Sequence, residues 1–188
     1  MRPCGGRDGL YAQGGRMIIA VVGPSGAGKD TLIAGALSAR PDIQFVRRVI
    51  TRPSEAGSED FEGVTFDEFV ARKADGEFAL DWEAHGLCYG IPKDQTTAPL
   101  VMFNGSRQAL GFAMSVFPDL RIIVVTAPDH ILADRLSARG RETRADIENR
   151  LKRATFELPE GIDATVVVND STEAEGISRF LAAIADLK

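Results

Sequence analysis

Seven residues, Gly23-Pro-Ser-Gly-Ala-Gly-Lys29, fit the spacing G-x-x-x-x-G-K directly behind the apolar run Met17 to Val22. Closely spaced glycines let successive backbone N–H groups turn inward around phosphate oxygens, and a helix start behind them adds a favourable dipole. Gly23, Pro24, Ser25, Gly26, Ala27 and Gly28 are therefore expected to cradle nucleotide phosphates. Lys29 would place its charge on the β- and γ-phosphates. A glycine-rich turn that only packs is the alternative. The next residue is Asp30, where such loops carry a Ser or Thr hydroxyl for Mg²⁺. A carboxylate can also hold Mg²⁺, but an acid in the first turn is equally favoured by the helix dipole alone. Thr31 follows one position late.

The second chemical signal is arginine. Arg47, Arg48 and Arg52 lie at the end of the second strand candidate, Arg107 follows the third, and Arg135, Arg139, Arg141, Arg144, Arg150 and Arg153 surround a polar stretch at 140–144. Any one of them could be a solvated surface residue; as a set beside a phosphate loop they fit an anion clamp. Two unit charges of like sign 4 Å apart repel by roughly 4 kcal/mol at an effective dielectric near 20. Bringing two phosphorylated partners together therefore demands such a clamp. An acceptor phosphate is largely dianionic at neutral pH and needs no general base. Only His85 and His130 are available as histidines, and no nucleophile–base motif is evident.

The elements that must carry these groups alternate. Strand-like runs fall at Met17 to Val22, Phe45 to Thr51, Leu100 to Phe103, Leu120 to Thr126 and Ala164 to Val168. Helical patterns fall at Asp30 to Arg40, Ser106 to Val116, Pro128 to Arg139, Ala145 to Phe156 and Thr172 to Leu187. Strand–helix alternation implies a parallel sheet with helices on both faces. Thr172 with Glu175, and Thr65 with Glu68, have capping-box spacing. The stretch from Pro53 breaks the rule: polar and glycine-rich to Gly63, helical over Phe66 to Lys73, then two short strands within Phe78 to Tyr89. It is expected to be a small inserted subdomain over 53–92, with a second lid over 139–145. Trp82 is read either as core of that insertion or as a stacking platform.

Composition narrows the partners. With 22 Lys and Arg against 27 Asp and Glu, the net charge of −5 argues against a nucleic-acid partner. Apolar runs fall far short of the roughly 20 residues of a membrane span. Cys4 and Cys88 cannot frame a disulfide scaffold, which suits a reducing cytoplasm. At 188 residues the chain has room for one compact domain. Residues 1–16 read as a flexible Gly-rich tail, which leaves a translation start at Met17 open. Oligomeric state is not legible.

Gly23-Pro-Ser-Gly-Ala-Gly-Lys29, Thr51-Arg52, Phe66, Gly86 with Tyr89-Gly90, and Arg139-Gly140 with Glu142 and Arg150 resemble guanylate kinases across 17–188. That resemblance implies an α/β P-loop NTPase fold of the nucleoside monophosphate kinase type. Its parts would be a five-stranded parallel sheet with flanking helices, an inserted acceptor-binding subdomain and an arginine lid. Aligned without gaps, however, a guanylate kinase's second phosphate-binding arginine falls on Glu55 and one of its tyrosines on Val64. Its base-reading Ser, Glu and Asp fall near Arg48, Leu80 and the Asn104-Gly105-Ser106 turn. A buried guanine whose N–H groups lack acceptors loses about 1–3 kcal/mol for each.

The sequence is more similar to the PhnN-type ribose 1,5-bisphosphate phosphokinases of phosphonate catabolism. The shared residues include the loop with Asp30, Ile50-Thr51-Arg52, Ala56-Gly57-Ser58-Glu59 and Phe78-Ala79-Leu80-x-Trp82-x-Ala84-His85-Gly86-Leu87-x-Tyr89-Gly90-Ile91-Pro92. Asn104-Gly105-Ser106-Arg107, Arg139-Gly140-Arg141-Glu142 and Asn169-Asp170 continue the match. Asp60 departs from the family's His or Asn at its position. The resemblance implies transfer of phosphate from ATP, with Mg²⁺ near Asp30, to ribose 1,5-bisphosphate, giving 5-phospho-α-D-ribose 1-diphosphate. It places Arg48, Arg52, His85, Tyr89 and Arg107 on the acceptor, Asn169 beside the adenine, and Arg139 and Arg150 with Lys29 at the transferring group. A guanylate or other nucleoside monophosphate kinase is the alternative. A non-catalytic guanylate-kinase-like binding module is less favoured, because the phosphate loop is intact.

Overall fold

A computed structural model describes residues 16–53, 60–138, 158 and 161–187. Strand β1 (Met17–Val22) is central, and its residues 19–22 are fully buried. It is uniformly apolar because both of its faces are covered, as parallel strands require. It pairs in parallel with β7 (Leu100–Asn104) and β8 (Leu120–Thr126); β2 (Gln44–Phe45) and β9 (Thr165–Val168) complete a five-stranded sheet in the order β2-β7-β1-β8-β9. The expected five-stranded parallel core is present.

Alternation along β1 sorts its side chains into two cores. Ile19 and Val21 pack with Leu32, Ile33 and Ala36 of α1 (Lys29–Ala39) and with Phe180 and Ile184 of α5 (Glu173–Asp186). Ile18, Ala20 and Val22 face the opposite way, onto Leu110 and Ala113 of α3 (Leu110–Val116). Each fully buried aliphatic side chain contributes about 1.5–3 kcal/mol. Helix α4 (Asp129–Ala138) adds Leu132 to the first core. Thr172 caps α5 in a complete capping box with Glu175. At the other expected box, Thr65 Oγ1 accepts from Glu68 N.

Two expectations are corrected. The run Phe45 to Thr51 is not one strand. Val46 N still donates to Met102 O of the core sheet, but Arg47 N is taken by the side chain of Gln95. The chain then crosses into a second sheet as β3 (Val49–Ile50). The helix expected from Ser106 starts as a 3-10 turn over Arg107–Ala109 before α3 begins.

The second sheet has four strands in the order β4-β3-β6-β5, with β4 (Glu62–Gly63), β5 (Phe78–Ala84) and β6 (Leu87–Pro92). His85 and Gly86 have φ of 55° and 73°, the both-positive pattern of a tight two-residue hairpin turn. An irregularity between Phe78 and Leu80 re-aims the strand. Phe78 stacks on Phe69 of α2 (Phe66–Ala74), while Leu80 joins Phe103 and Leu110 on the core side. Val49, Phe69 and Phe78 make a separate small core, beside which Arg72 pairs with Glu62 and Glu77. Among the described residues no helix is long and apolar enough to cross a membrane.

Candidate active site

All five core strands run in parallel, so the segments leaving their carboxyl ends gather on one edge. From β1 comes Gly23, from β7 Arg107, from β9 Asn169, and from β2 the segment carrying Arg48 and Arg52.

The loop after β1 is shaped by backbone. Gly23 has φ of 148°, and a Cβ there would lie 2.0 Å from Val125 O. Gly28, in the left-handed region at φ of 85°, opens α1 with no capping side chain, which leaves the first-turn N–H groups to face the loop. Lys29 Nζ donates to Gly23 O at 2.9 Å and Pro24 O at 3.0 Å, so its ammonium lies along the loop. Asp30 and Thr31 are exposed in the first turn of α1.

Asn169, expected beside the adenine, is found bracing the loop. It is 5% exposed, and its Nδ2 donates to Ala27 O at 2.8 Å while its own N–H donates to Thr126 O at 2.7 Å. A Cβ on Gly28 would come within 2.4 Å of its Nδ2. Asn169 thus ties the end of β9 to the phosphate loop. Beside it opens a cavity of about 320 Å³ lined by Gly28, Thr31, Arg135, Asn169, Ser171 and Glu173. Arg135 points Nη1 at the carbonyls of Gly26 and Ala27, at 3.5 and 3.4 Å. Ser171 and Glu173 escaped the sequence reading; their one signal was the helix start beside them at Thr172.

On the other side stand the arginines. Arg48 is 6% exposed, with its guanidinium carbon 5.3 Å from the Tyr89 ring centroid and 6.0 Å from that of Trp82. Trp82 and Tyr89 are stacked, their centroids 5.3 Å apart and their planes within 5°. Trp82 also packs against the core cluster around Leu80 and Phe103. Arg52 lies over the ring of Phe61 at 4.3 Å, and its Nε is buried with no hydrogen-bond partner. An unpaired buried N–H of this kind is rare in folded proteins. Arg107 is half-buried, and burial pulls its pKa below the usual arginine value. A partly desolvated guanidinium gains more from a nearby anion than one in water.

The structure therefore brings Arg48, Tyr89 and Trp82 into contact, with Arg52 four residues further along the same segment. It does not bring His85 to them by any described contact: His85 is exposed at the hairpin tip, where its positive φ serves the turn. Arg47 pairs with Asp60 at 2.9 Å. Arg139, Arg150, the lid at 139–145, the helix expected over Ala145 to Phe156, and residues 1–15 lie outside the described residues.

Among the described residues no group of three or more His, Cys, Asp or Glu is placed to hold a metal. Mg²⁺ keeps several waters and takes one or two carboxylates beside substrate phosphates. An exposed Asp30 next to the loop fits that donor set.

A chain named ribose 1,5-bisphosphate phosphokinase PhnN from Ruegeria sp. (strain TM1040) is 49% identical over 158 residues, covering 82% of this chain and 83% of that one. A second of the same name, from Rhizobium etli (strain CIAT 652), is 45% identical over 186 residues, covering 95% and 94%. The chain belongs to the PhnN family. Members of that family are phosphotransferases, and so is this chain. No family model matches it. Its backbone is similar to that of guanylate kinase from Anaplasma phagocytophilum, with a TM-score of 0.64 at 19% identity over 92% of this chain and 86% of the other. The PhnN family member thus has a guanylate-kinase-like fold.

Proposed function

We propose that this chain transfers the γ-phosphoryl group of ATP to the 1-phosphate of ribose 1,5-bisphosphate, giving ADP and 5-phospho-α-D-ribose 1-diphosphate, within cytoplasmic phosphonate catabolism. The observation that carries this beyond the family name is the pairing of two unlike anion sites on one sheet edge. A backbone phosphate loop follows β1, and arginines follow β2 and β7, one of them with a buried unpaired N–H.

In this assignment the loop of residues 23–31 and Lys29 hold the donor phosphates, while Asn169 and the cavity beside it receive the adenosine. Arg52, Arg107, Arg48 and Tyr89 hold the acceptor; His85 is assigned there on the resemblance alone, as are Arg139 and Arg150 at the transferring phosphate. An oxygen of the acceptor's 1-phosphate forms the new bond to the γ-phosphorus as the bond to the β-bridging oxygen breaks and ADP leaves. The acceptor is already dianionic, so no side chain removes a proton. Lys29 and the arginines offset the charge that spreads over the moving oxygens. Bound at Asp30, Mg²⁺ would neutralise part of the β- and γ-phosphate charge.

Leu80, 1% exposed within an apolar cluster, weighs against a guanylate kinase, which needs an acceptor for guanine N–H groups. Phosphorus NMR of a reaction with ATP and ribose 1,5-bisphosphate should show a sugar-linked diphosphate growing in step with ADP. ADP accumulating without that product would refute the proposal.

A further inference from the structure

Arg48 is the one ionisable side chain among the described residues that is buried. A guanidinium has five N–H donors and no acceptor, and its removal from water is unfavourable unless other groups compensate. Part of that compensation is the stacked Trp82–Tyr89 pair, whose ring centroids lie 6.0 and 5.3 Å from the guanidinium carbon. Strand alternation builds the arrangement. Tyr89 stands opposite both Ile50 and Trp82, and Arg48, two residues before Ile50, falls on the same face. Leu80 and Ile91 continue that face toward Phe103 and Leu110 of the core.

This wall sets chemical terms for an acceptor. A purine needs acceptors for its amide or amino N–H groups and an open aromatic face to stack on. Arg48, Leu80 and Trp82 provide no acceptor, and Trp82 and Tyr89 each have one ring face taken by the other. A pentose phosphate needs neither feature, and its phosphate is the partner a planar guanidinium binds best.

We infer that Arg48, held on the Trp82–Tyr89 pair, sets acceptor choice, admitting a base-free sugar phosphate and turning away nucleoside monophosphates, with Trp82 as its positioning residue. The inference deepens the acceptor assignment above and rests on it. Tryptophan has the aromatic face most attractive to a cation, so its loss removes one of the two rings that hold the guanidinium while leaving the charge in place.

The test measures steady-state kinetics of the full chain with ATP and, in turn, ribose 1,5-bisphosphate, GMP and AMP, for wild type and the variants R48A, R48K, W82L and W82F. R48A should raise the KM for ribose 1,5-bisphosphate about tenfold and lower its kcat/KM advantage over GMP by about tenfold or more, with the KM for ATP within about twofold. R48K, which keeps the charge without the planar fork, should share the loss. W82L should move the same ratio in the same direction, and W82F should restore it. An unchanged acceptor ratio in R48A, or acceptor and ATP KM rising together, overturns the inference. If circular dichroism shows R48A unfolded, the W82L and W82F pair decides on the same ratio, and equal values in the two overturn it. Wild type that turns over no ribose 1,5-bisphosphate ends the acceptor assignment itself; wild-type turnover with an unmoved ratio in R48A ends this inference alone.

Discussion

The edge proposed for the donor and the sheet proposed for the acceptor are built from different materials. Around the phosphate loop the groups proposed to bind phosphate are backbone N–H groups, in a loop shaped by glycines at positive φ and tied to β9 by Asn169. In the inserted sheet they are guanidinium groups resting on aromatic rings, Arg48 on Tyr89 and Trp82, Arg52 on Phe61. Backbone geometry suits a donor whose phosphates never change. The guanidinium groups proposed for the acceptor rest instead on side chains, with Trp82 packed against the cluster around Leu80 and Phe103. Damage to the first should abolish turnover, and damage to the second should redirect or weaken acceptor use.

The largest effect is expected at Lys29. Lys29→Ala should lower kcat about 10³-fold with the melting temperature retained, because the charge spreading over the transferring group goes uncompensated. A change confined to the acceptor KM would break the division between the two sites. Next is Gly23→Ala, whose Cβ would fall 2.0 Å from Val125 O. It should cost about 2–4 kcal/mol in urea unfolding, since both atoms in conflict sit on rigid backbone.

Arg107→Ala sharpens the contrast from the other side. The acceptor KM should rise about tenfold while the ATP KM stays within about twofold. Equal rises in both would place Arg107 on the donor. Arg72→Met removes the pairs to Glu62 and Glu77. It should cost about 1 kcal/mol, read as faster hydrogen exchange in β4 and α2 with the core sheet unaffected.

The smallest effect concerns acid. The hydrogen bond from Arg179 holds the Asp170 carboxyl below its usual pKa. A depressed carboxyl stabilises the fold above its unfolded value and loses that contribution as pH falls through the folded value. Wild type should therefore lose slightly more stability than Asp170→Asn below about pH 4. Identical acid titration of the two would remove the pair from consideration.

The same contrast decides what could be read from sequence. A phosphate loop needs glycine for a steric reason, so Gly23 to Lys29 announce themselves, as does the Thr172–Glu175 box that starts α5. The bracing by Asn169 was hidden, because nothing local says that the end of β9 lies against Ala27. The break at Val46 was hidden too: 45–51 is continuously strand-forming, and the crossover depends on Gln95, some fifty residues away, claiming Arg47 N. Arg48, Trp82 and Tyr89 were each visible, but not their contact. Their partnership depends on a register between strands and on a bulge at Phe78 and Leu80 that no periodicity discloses.

The most direct measurement compares kcat/KM for ribose 1,5-bisphosphate and for GMP with ATP as donor on one preparation of the full chain. A sugar bisphosphate advantage of about a hundredfold or more is expected from a wall on which Arg48, Leu80 and Trp82 give a purine no hydrogen-bond acceptor. Equal use of the two, or a preference for GMP, would contradict it.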